Sequence, residues 1–452
     1  MILKRKIYKE LLKWKENYSK EYALLIEGAR RIGKSTIVEE FAKNEYNNYL
    51  LIDFGKATDD VKNLFTYYIN DLDTLFMMLS QTYGKKLVIG ETLIIFDEVQ
   101  LCPKARQAIK YLVKDGRFSY IETGSLISIK ENVENILIPS EEMNIKMYPL
   151  DLEEFLWALD KEILIEYIKK CFNEKRPLLE QLHREAFLIF KQYMLIGGMP
   201  QSVIKYIQNH KNFELADIAK RNILELYKQD IRKISSKYQS KVSLLFDQIP
   251  SFLSKHEKRV ILNKVSASST IDDFEETLFW LSDSMICNEC FNCNDPNLGL
   301  SINEDRTYVK CYMGDTGLLV SHAFDENEIM EEELYKQILL DKLSINEGML
   351  YENAISQILV SNGHKLFFYN RYNAEKHRND VEIDFIISNK SKTKFKIYPI
   401  EVKSNKQYSV KSLLKFKELF KNRIGECYVI HPKNLSVNDD FIAIPPYMAI
   451  CL

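Results

Sequence analysis

Nine residues near the start of the chain have the composition and spacing of a phosphate-binding loop. They fit G-x-x-x-x-G-K-[ST] at every position and read Gly28-Ala29-Arg30-Arg31-Ile32-Gly33-Lys34-Ser35-Thr36. Glycines let backbone N–H groups turn toward phosphate oxygens, and the helix expected to follow presents its positive end to the same charge. The lysine of such a loop reaches the β- and γ-phosphates, and its serine binds Mg²⁺. We therefore predict that all nine residues bind the nucleotide, ATP or GTP, and that Ser35 also binds the metal.

The second half of a nucleotide site is also present. Thr92-Leu93-Ile94-Ile95-Phe96 reads as a buried strand and is followed at once by Asp97 and Glu98. We expect Asp97 to bind the cofactor by holding Mg²⁺ through water, and Glu98 to polarise the attacking water as a general base. The alternative is a chance motif beside an ordinary strand with an acidic end. That alternative does not explain why both motifs occur together.

Hydroxyl groups end the next strand pattern, which reads Tyr120-Ile121-Glu122-Thr123-Gly124-Ser125. A polar side chain at this place can hydrogen-bond the attacking water or the γ-phosphate. We therefore predict Thr123 and Ser125 as catalytic residues beside Glu98. The alternative is a glycine-containing turn with exposed hydroxyls.

A second group of charged residues lies near the end of the sequence. Glu352 falls on a helix pattern, Asp384 on a strand pattern, and Glu401 and Lys403 on the next strand, where residues two apart share a face. Carboxylates that hold Mg²⁺ beside a lysine suit metal-assisted phosphodiester cleavage. The order resembles the PD-(D/E)xK nuclease core, so all four are predicted catalytic residues, with Asp384 and Glu401 as metal ligands. The alternative is surface charges on half-buried strands.

Composition limits the class of protein. The chain has 452 residues, 46% hydrophobic and 28% charged, which indicates a globular protein of two to four domains. The start of the sequence lacks an apolar signal segment, and no stretch is long enough for a membrane span. The eight cysteines are scattered, which favours a reduced compartment. We therefore expect a cytoplasmic location and no membrane contact.

A local excess of basic residues favours a polyanionic partner. The net charge of the chain is −2, yet the segment from Lys390 to Arg423 is rich in Lys and Arg. DNA or RNA bound through the C-terminal domain is the partner that this charge suggests. The competing interpretation is a solvated, lysine-rich face.

The alternation of patterns predicts an α/β fold with four regions. Residues 1–160 alternate strands and helices and form a P-loop AAA-type parallel sheet core. Residues 161–240 are helical and form a lid or linker. Residues 241–330 contain short helices and a hairpin and are predicted as a winged helix, whose acidic helix is unsuited to DNA. Residues 335–452 form a restriction-endonuclease-like α/β domain.

Taken together, these motifs resemble a family of prokaryotic AAA-type ATPases with a C-terminal nuclease-like domain of unknown function. Besides the two motifs of the nucleotide site, the matching segments are Thr123-Gly124-Ser125, Tyr148-Pro149-Leu150-Asp151, Gly197-Gly198-Met199-Pro200, Gly314-Asp315-Thr316-Gly317 and Ile400-Glu401-Val402-Lys403. The chain departs from the family at Ile138-Pro139-Ser140, where relatives carry Gly-Arg. The resemblance implies ATP and Mg²⁺ as cofactors.

The sequence as a whole predicts an Mg²⁺-dependent ATPase whose nucleotide state controls a nuclease-like domain acting on nucleic acid. The alternative is an ATP-driven switch or scaffold whose nuclease-like fold is inactive and binds nucleic acid or a protein. A homo-oligomer is compatible with either function.

Overall fold

The computed structural model describes residues 1–125, 136–234, 236–255, 258, 260, 271–297, 299–324, 330–340, 346–373, 378–388 and 396–452. The chain divides into two compact units. The N-terminal unit is Ile2–Tyr148 with Asp283–Met285, and the C-terminal unit is Pro149–Ser282 with Ile286–Leu452. The first boundary therefore falls at residue 148, twelve residues before the predicted boundary at 160.

The N-terminal unit is built on a parallel five-stranded sheet with the order β2-β3-β4-β1-β5. Its strands are β1 (Ala23–Glu27), β2 (Asn48–Asp53), β3 (Thr92–Asp97), β4 (Ser119–Gly124) and β5 (Glu142–Lys146). Strands buried on both faces read as continuous apolar runs, which is how β1 and β3 read. The predicted parallel α/β core is confirmed by this sheet.

Five helices accompany this sheet in the described part of the unit. They are α1 (Ile7–Asn17), α2 (Lys34–Glu45), α3 (Asp59–Tyr67), α4 (Leu72–Tyr83) and α5 (Pro103–Asp115), and a 3₁₀ turn covers Val99–Leu101. Ring contacts between Phe54, Phe65 and Phe96, with centroids 5.3–5.7 Å apart, join α3 to β3 and to the residue after β2. This apolar packing fixes the end of β3, where the acidic pair lies.

Helices dominate the first part of the C-terminal unit, as the sequence predicts. They are α6 (Leu152–Ala158), α7 (Glu162–Asn173), α8 (Glu180–Ile196), α9 (Pro200–Gln208), α10 (Phe213–Ile231), α11 (Ser236–Leu253) and α12 (Ile271–Asp283). The last residue of α12 belongs to the N-terminal unit. None of the helices within the described ranges combines the length and hydropathy needed to cross a membrane.

A mixed eight-stranded sheet forms the rest of this unit, with the order β12-β13-β11-β10-β9-β8-β6-β7. Its strands are β6 (Cys287–Cys293), β7 (Glu304–Met313), β8 (Leu366–Asn373), β9 (Arg378–Ser388), β10 (Ile397–Val402), β11 (Tyr428–Ile430), β12 (Ser436–Val437) and β13 (Ile442–Ile444). Helices α13 (Thr316–Ala323), α14 (Glu332–Leu339), α15 (Glu347–Ser361) and α16 (Lys411–Leu419) complete it, with 3₁₀ turns at Leu300–Asn303 and Pro446–Cys451.

The hairpin predicted as part of a winged helix belongs to this sheet. Strand β6 pairs with β8 in parallel, Cys290 opposite Leu366, so strands from the predicted regions 241–330 and 335–452 share one sheet. A hairpin pattern is local in sequence, whereas β8, the other partner of β6, begins more than seventy residues after β6 ends. The hairpin therefore forms the end of a larger sheet, and the winged helix stays a prediction.

Several family-like segments meet in one buried junction of the C-terminal unit. The Asp315 carboxylate accepts hydrogen bonds from Gly198 N at 2.5 Å, Leu318 N at 2.9 Å and Gln357 Nε2 at 3.1 Å. A Cβ on Gly198 would lie 1.9 Å from the main-chain oxygen of Leu150. Only glycine permits this approach. The structure therefore gives a packing reason for the glycine in this family-like segment.

Candidate functional site

The phosphate-binding loop joins β1 to α2 in the N-terminal unit, as its motif requires. A Cβ on Gly28 would lie 2.4 Å from both Ile32 Cδ1 and Met147 O, so the first glycine leaves room for the turn. Gly33 has φ = 93° and caps the start of α2, where a side chain would be strained. The first turn of α2 contains no carboxylate, so its positive end is open to an anion's charge.

Lys34 is buried inside this loop. It is 7% exposed, and its Nζ donates to the carbonyl oxygens of Gly28 at 2.9 Å and Ala29 at 3.0 Å. Burial lowers the pKa of Lys34 to about 8, although the charges of Glu98 and Asp97 oppose the shift. A buried ammonium held by neutral carbonyls gains from an anion, which the β- and γ-phosphates would supply.

Asp97 brings the two predicted motifs together. Its Oδ1 accepts a hydrogen bond from Ser35 Oγ at 2.7 Å and a very close one from Thr123 Oγ1. The contact with Thr123 follows from the sheet, because Phe96 pairs with Glu122 and the next residues lie side by side. A hydroxyl and a carboxylate oxygen are the donors that Mg²⁺ prefers, so Ser35 and Asp97 fit the predicted metal.

Glu98 lies next to this group in an uncommon backbone conformation. It has φ = 54° and ψ = 48°, a left-handed geometry that costs a residue with a side chain roughly 1–2 kcal/mol. The side-chain amide of Gln100 donates to its carboxylate. Gln100 was not identified from the sequence, although its place two residues after an acidic pair could have signalled it.

The remaining loop residues divide by exposure. Ile32 is fully buried and packs inside the unit, whereas Arg31 and Thr36 are exposed and Arg30 and Ser125 are half-buried. Their predicted roles in nucleotide binding and catalysis stay predictions.

The N-terminal unit also contains a buried group of charged side chains that was not predicted from the sequence. Arg106 on α5 donates from Nε and Nη2 to the two carboxylate oxygens of Glu142 on β5, at 2.9 and 2.7 Å. Glu122 on β4 is fully buried beside Glu142. A glutamate inside an apolar strand pattern was the available signal.

The four predicted residues of the C-terminal site lie on α15, β9 and β10. Ile400 pairs with Phe385, so continuing the antiparallel register places Glu401 opposite Asp384 on the same face. Burial raises the pKa of Glu401 to about 7, with Lys403 opposing the shift and Asp384 adding to it. Burial also raises the pKa of Glu352, and the Asp384 charge contributes. These carboxylates therefore act on one another electrostatically.

Donors from the chain itself contact each of these carboxylates. Lys258 Nζ forms a very close ion pair with Glu352, whose other oxygen accepts from Tyr312 OH at 3.1 Å. Lys403 Nζ lies 2.9 Å from Glu401 Oε2, and Val402 N donates to Asp384 Oδ2 at 2.8 Å.

Asp384 and Glu401 are the predicted metal ligands of this second site. Over the ranges that the structure describes, no group of three or more His, Cys, Asp or Glu side chains is arranged to hold a metal ion. Metal binding by Asp384 and Glu401 therefore stays a prediction.

The basic segment is partly neutralised where it is described. Lys415 pairs with Asp380 at 2.7 Å, Lys417 pairs with Asp440 at 3.0 Å, and Arg423 contacts Asp295. Residues 389–395, which carry three of its lysines, lie outside the described residues. The nucleic-acid surface predicted here stays a prediction.

Three sequence families match successive parts of the chain. The AAA domain matches residues 20–156, a domain of unknown function (DUF8612) matches 188–328, and another (DUF4143) matches 347–447. A search among curated proteins found no significant match.

Solved structures with some likeness include a Walker-type ATPase of Pyrococcus abyssi, with 16% identity, coverage of 71% of this chain and 96% of that one, and a TM-score of 0.39. Cdc6p of Pyrobaculum aerophilum has 10% identity, coverage of 75% and 94%, and a TM-score of 0.25. A DNA replication initiation factor has 13% identity, coverage of 62% and 76%, and a TM-score of 0.22. TM-scores as low as these do not establish a shared overall fold. Residues 20–156 match the AAA domain family, and the parallel sheet and the loop geometry support an AAA-type P-loop ATPase in this part of the chain.

Proposed function

We propose that the N-terminal unit binds ATP with Mg²⁺ and hydrolyses it. The observation that carries the proposal is the Asp97 carboxylate, which accepts hydrogen bonds from both Ser35 and Thr123 beside the buried ammonium of Lys34. Three separate sequence segments supply these groups, and nucleotide hydrolysis gives a chemical reason for their convergence.

Binding and chemistry are divided among these residues. Lys34 exchanges its two carbonyl partners for phosphate oxygens, and the loop holds the rest of the triphosphate at the positive end of α2. Bound Mg²⁺ would neutralise phosphate charge and would be held by Ser35 and, through water, by Asp97. Glu98 takes the proton of the attacking water, and Gln100 keeps its carboxylate in place.

The test is ATP binding and steady-state ATP hydrolysis by the full chain with Mg²⁺. Lys34→Met should abolish binding, and Asp97→Asn should retain weak binding without turnover. Lys110→Met removes an exposed lysine from α5 of the same unit and should behave as wild type. ATP hydrolysis that survives Lys34→Met unchanged would mean that another site carries the activity.

A second candidate function concerns the C-terminal unit. The register that places Asp384 and Glu401 on one face, with Lys403 paired to Glu401, supports metal-assisted cleavage of nucleic acid. Control of this cleavage by the nucleotide state is part of the same proposal. The lysines already paired with Glu352 and Glu401 favour the alternative, an inactive fold that binds nucleic acid or a protein.

Cleavage of single- and double-stranded DNA and RNA, with Mn²⁺ or Mg²⁺ and with or without ATP, separates these alternatives. An active site predicts that Asp384→Asn and Lys403→Ala abolish cleavage and spare ATP hydrolysis, whereas the exposed neighbour Lys406→Ala retains cleavage. Hydrogen exchange of residues 335–452, with and without ATP, tests the coupling. Identical exchange in both states would indicate two independent modules.

A further inference from the structure

We propose that Glu122 is a positioning residue of the ATP site, which holds a proton and donates it in a hydrogen bond to Glu142. This bond would fix the C-terminal end of β4, which carries Thr123. The inference rests on the proposed ATPase function, because its kinetic consequence is measured there. Glu122 itself does not touch the nucleotide loop in this proposal.

Burial requires a partner for the Glu122 carboxyl group. The residue is 0% exposed, and neither of its oxygens accepts a hydrogen bond from an ordinary donor among the described residues. Its neighbour within hydrogen-bond reach is the carboxyl group of Glu142. Two carboxyl groups in contact cannot both be ionised in a buried place, so they share one proton.

The ion pair with Arg106 decides which of the two carboxyl groups keeps the charge. Arg106 binds both oxygens of Glu142 in a bidentate geometry, at 2.9 and 2.7 Å. The two side chains are 5% and 2% exposed, so water screens the pair little. Glu142 therefore stays ionised and accepts, and Glu122 carries the proton and donates. Burial and the nearby Glu142 charge both raise the pKa of Glu122.

Other charged groups surround this pair and must be considered with it. Glu27 ends β1 directly before the nucleotide loop, and Asn144 on β5 donates to it at 3.4 Å. Burial raises the pKa of Glu27, while Lys146 and Arg106 oppose the shift and Glu142 and Asp283 add to it. Arg106 therefore balances carboxyl groups from three neighbouring strands, and a second ionised carboxylate at Glu122 would leave the group with excess negative charge.

The proposed hydrogen bond between Glu122 and Glu142 would affect the ATP site through strand β4. Strand β1 lies between β4 and β5 in the sheet, so a bond from Glu122 to Glu142 spans β1 and ties β4 to β5. The next residue on β4 is Thr123, whose hydroxyl donates to Asp97. Loss of the tie would let the end of β4 move and would displace the Thr123 hydroxyl from Asp97.

Two substitutions of Glu122 separate the shared proton from simple packing. Glu122→Gln keeps a neutral donor of the same shape, so it should retain kcat within roughly twofold of wild type. Glu122→Ala removes the donor and should lower kcat about tenfold or more while KM for ATP changes little. Equal loss in both variants, or an alanine variant with the wild-type kcat, would overturn the proposal.

A direct measurement of the proton does not depend on ATP hydrolysis or on the folding of the alanine variant. The infrared difference spectrum between the nucleotide-free wild type and Glu122→Gln should show a protonated-carboxyl C=O band that the wild type has and the variant lacks. The control Glu91→Gln changes an exposed glutamate of the same unit and should leave the band intact. A difference spectrum without the band rejects the shared proton. A protein with the band but without ATPase activity would reject the proposed function and retain the protonated Glu122.

Discussion

Raising the pH should weaken ATP binding through Lys34. Its pKa is about 8 because the residue is buried, so the empty loop loses its positive charge just above neutral pH. The charged fraction of such a group falls from about nine-tenths at pH 7 to about one-tenth at pH 9. If phosphate binds only the charged form, the Kd for ATP should rise about tenfold over this interval, roughly 1.4 kcal/mol.

Isothermal titration calorimetry with Mg²⁺ and ATP at pH 7, 8 and 9, at constant ionic strength, measures this change. Lys220→Met is the matched control, because Lys220 is also buried with a pKa lowered to about 8 by burial, but it belongs to the C-terminal unit. That variant should keep the full pH dependence of ATP affinity. Affinity that stays constant or rises between pH 7 and pH 9 would refute the assignment of Lys34 to the phosphates.

The lowered pKa of Lys34 also makes the free energy of unfolding depend on pH. Raising the pH weakens ATP binding but stabilises the folded chain. The pKa of Lys34 falls from 10.5 to about 8 on folding, so between these values the unfolded chain binds more protons and stability rises with pH. The difference of 10.5 − 8 = 2.5 corresponds to about 3 kcal/mol against the folded state below pH 8. Lys34→Met should therefore be more stable than wild type at pH 7 by up to that amount, and the gain should shrink toward pH 10.5 in urea unfolding.

Three further predictions concern single residues. Glu98→Gln should keep ATP binding and lower turnover at least about 10²-fold, the usual effect of losing a general base, in a steady-state assay. Gly198→Ala should lower the free energy of unfolding by about 2 kcal/mol or more, because the new methyl group meets a main-chain oxygen. Gly348→Ala has 3.6 Å of clearance inside α15 and should raise the free energy of unfolding by about 0.5 kcal/mol. Urea unfolding measures both. Lys258→Met should raise the Mn²⁺ affinity of the C-terminal unit in calorimetry, because Glu352 loses its internal cation, and unchanged affinity would show that Lys258 does not compete with metal.

The nucleotide site was predictable because its signals are local. A buried parallel strand is a continuous apolar run, so β3 and the two carboxylates at its end follow from adjacent residues. The loop motif similarly fixes its own turn through Gly28 and Gly33. Strand β3, predicted over residues 92–96, is observed over Thr92–Asp97.

What the sequence did not reveal depends on partners that are distant along the chain. Glu122 and Glu142 lie on β4 and β5, which are separated by β1 in the sheet. No local pattern in the sequence predicts which strand will lie between two others in a parallel sheet. Lys258 pairs with Glu352 across ninety-four positions, and it looks like any other lysine before the chain is folded. Strands β12 and β13 have two and three residues, too few for a periodic pattern.

The pairing of β6 with β8 has a consequence for synthesis on the ribosome. The β6–β7 hairpin is complete once Met313 has emerged, yet one side of β6 stays unpaired until Leu366 follows. At ordinary translation rates those 53 residues (366 − 313) take roughly 3–10 s, during which a strand edge is open to other chains. A nascent or prematurely terminated chain ending in this interval therefore presents an open strand edge, and residues 188–328 lack the β8 partner of β6 as an isolated fragment, although they match one family.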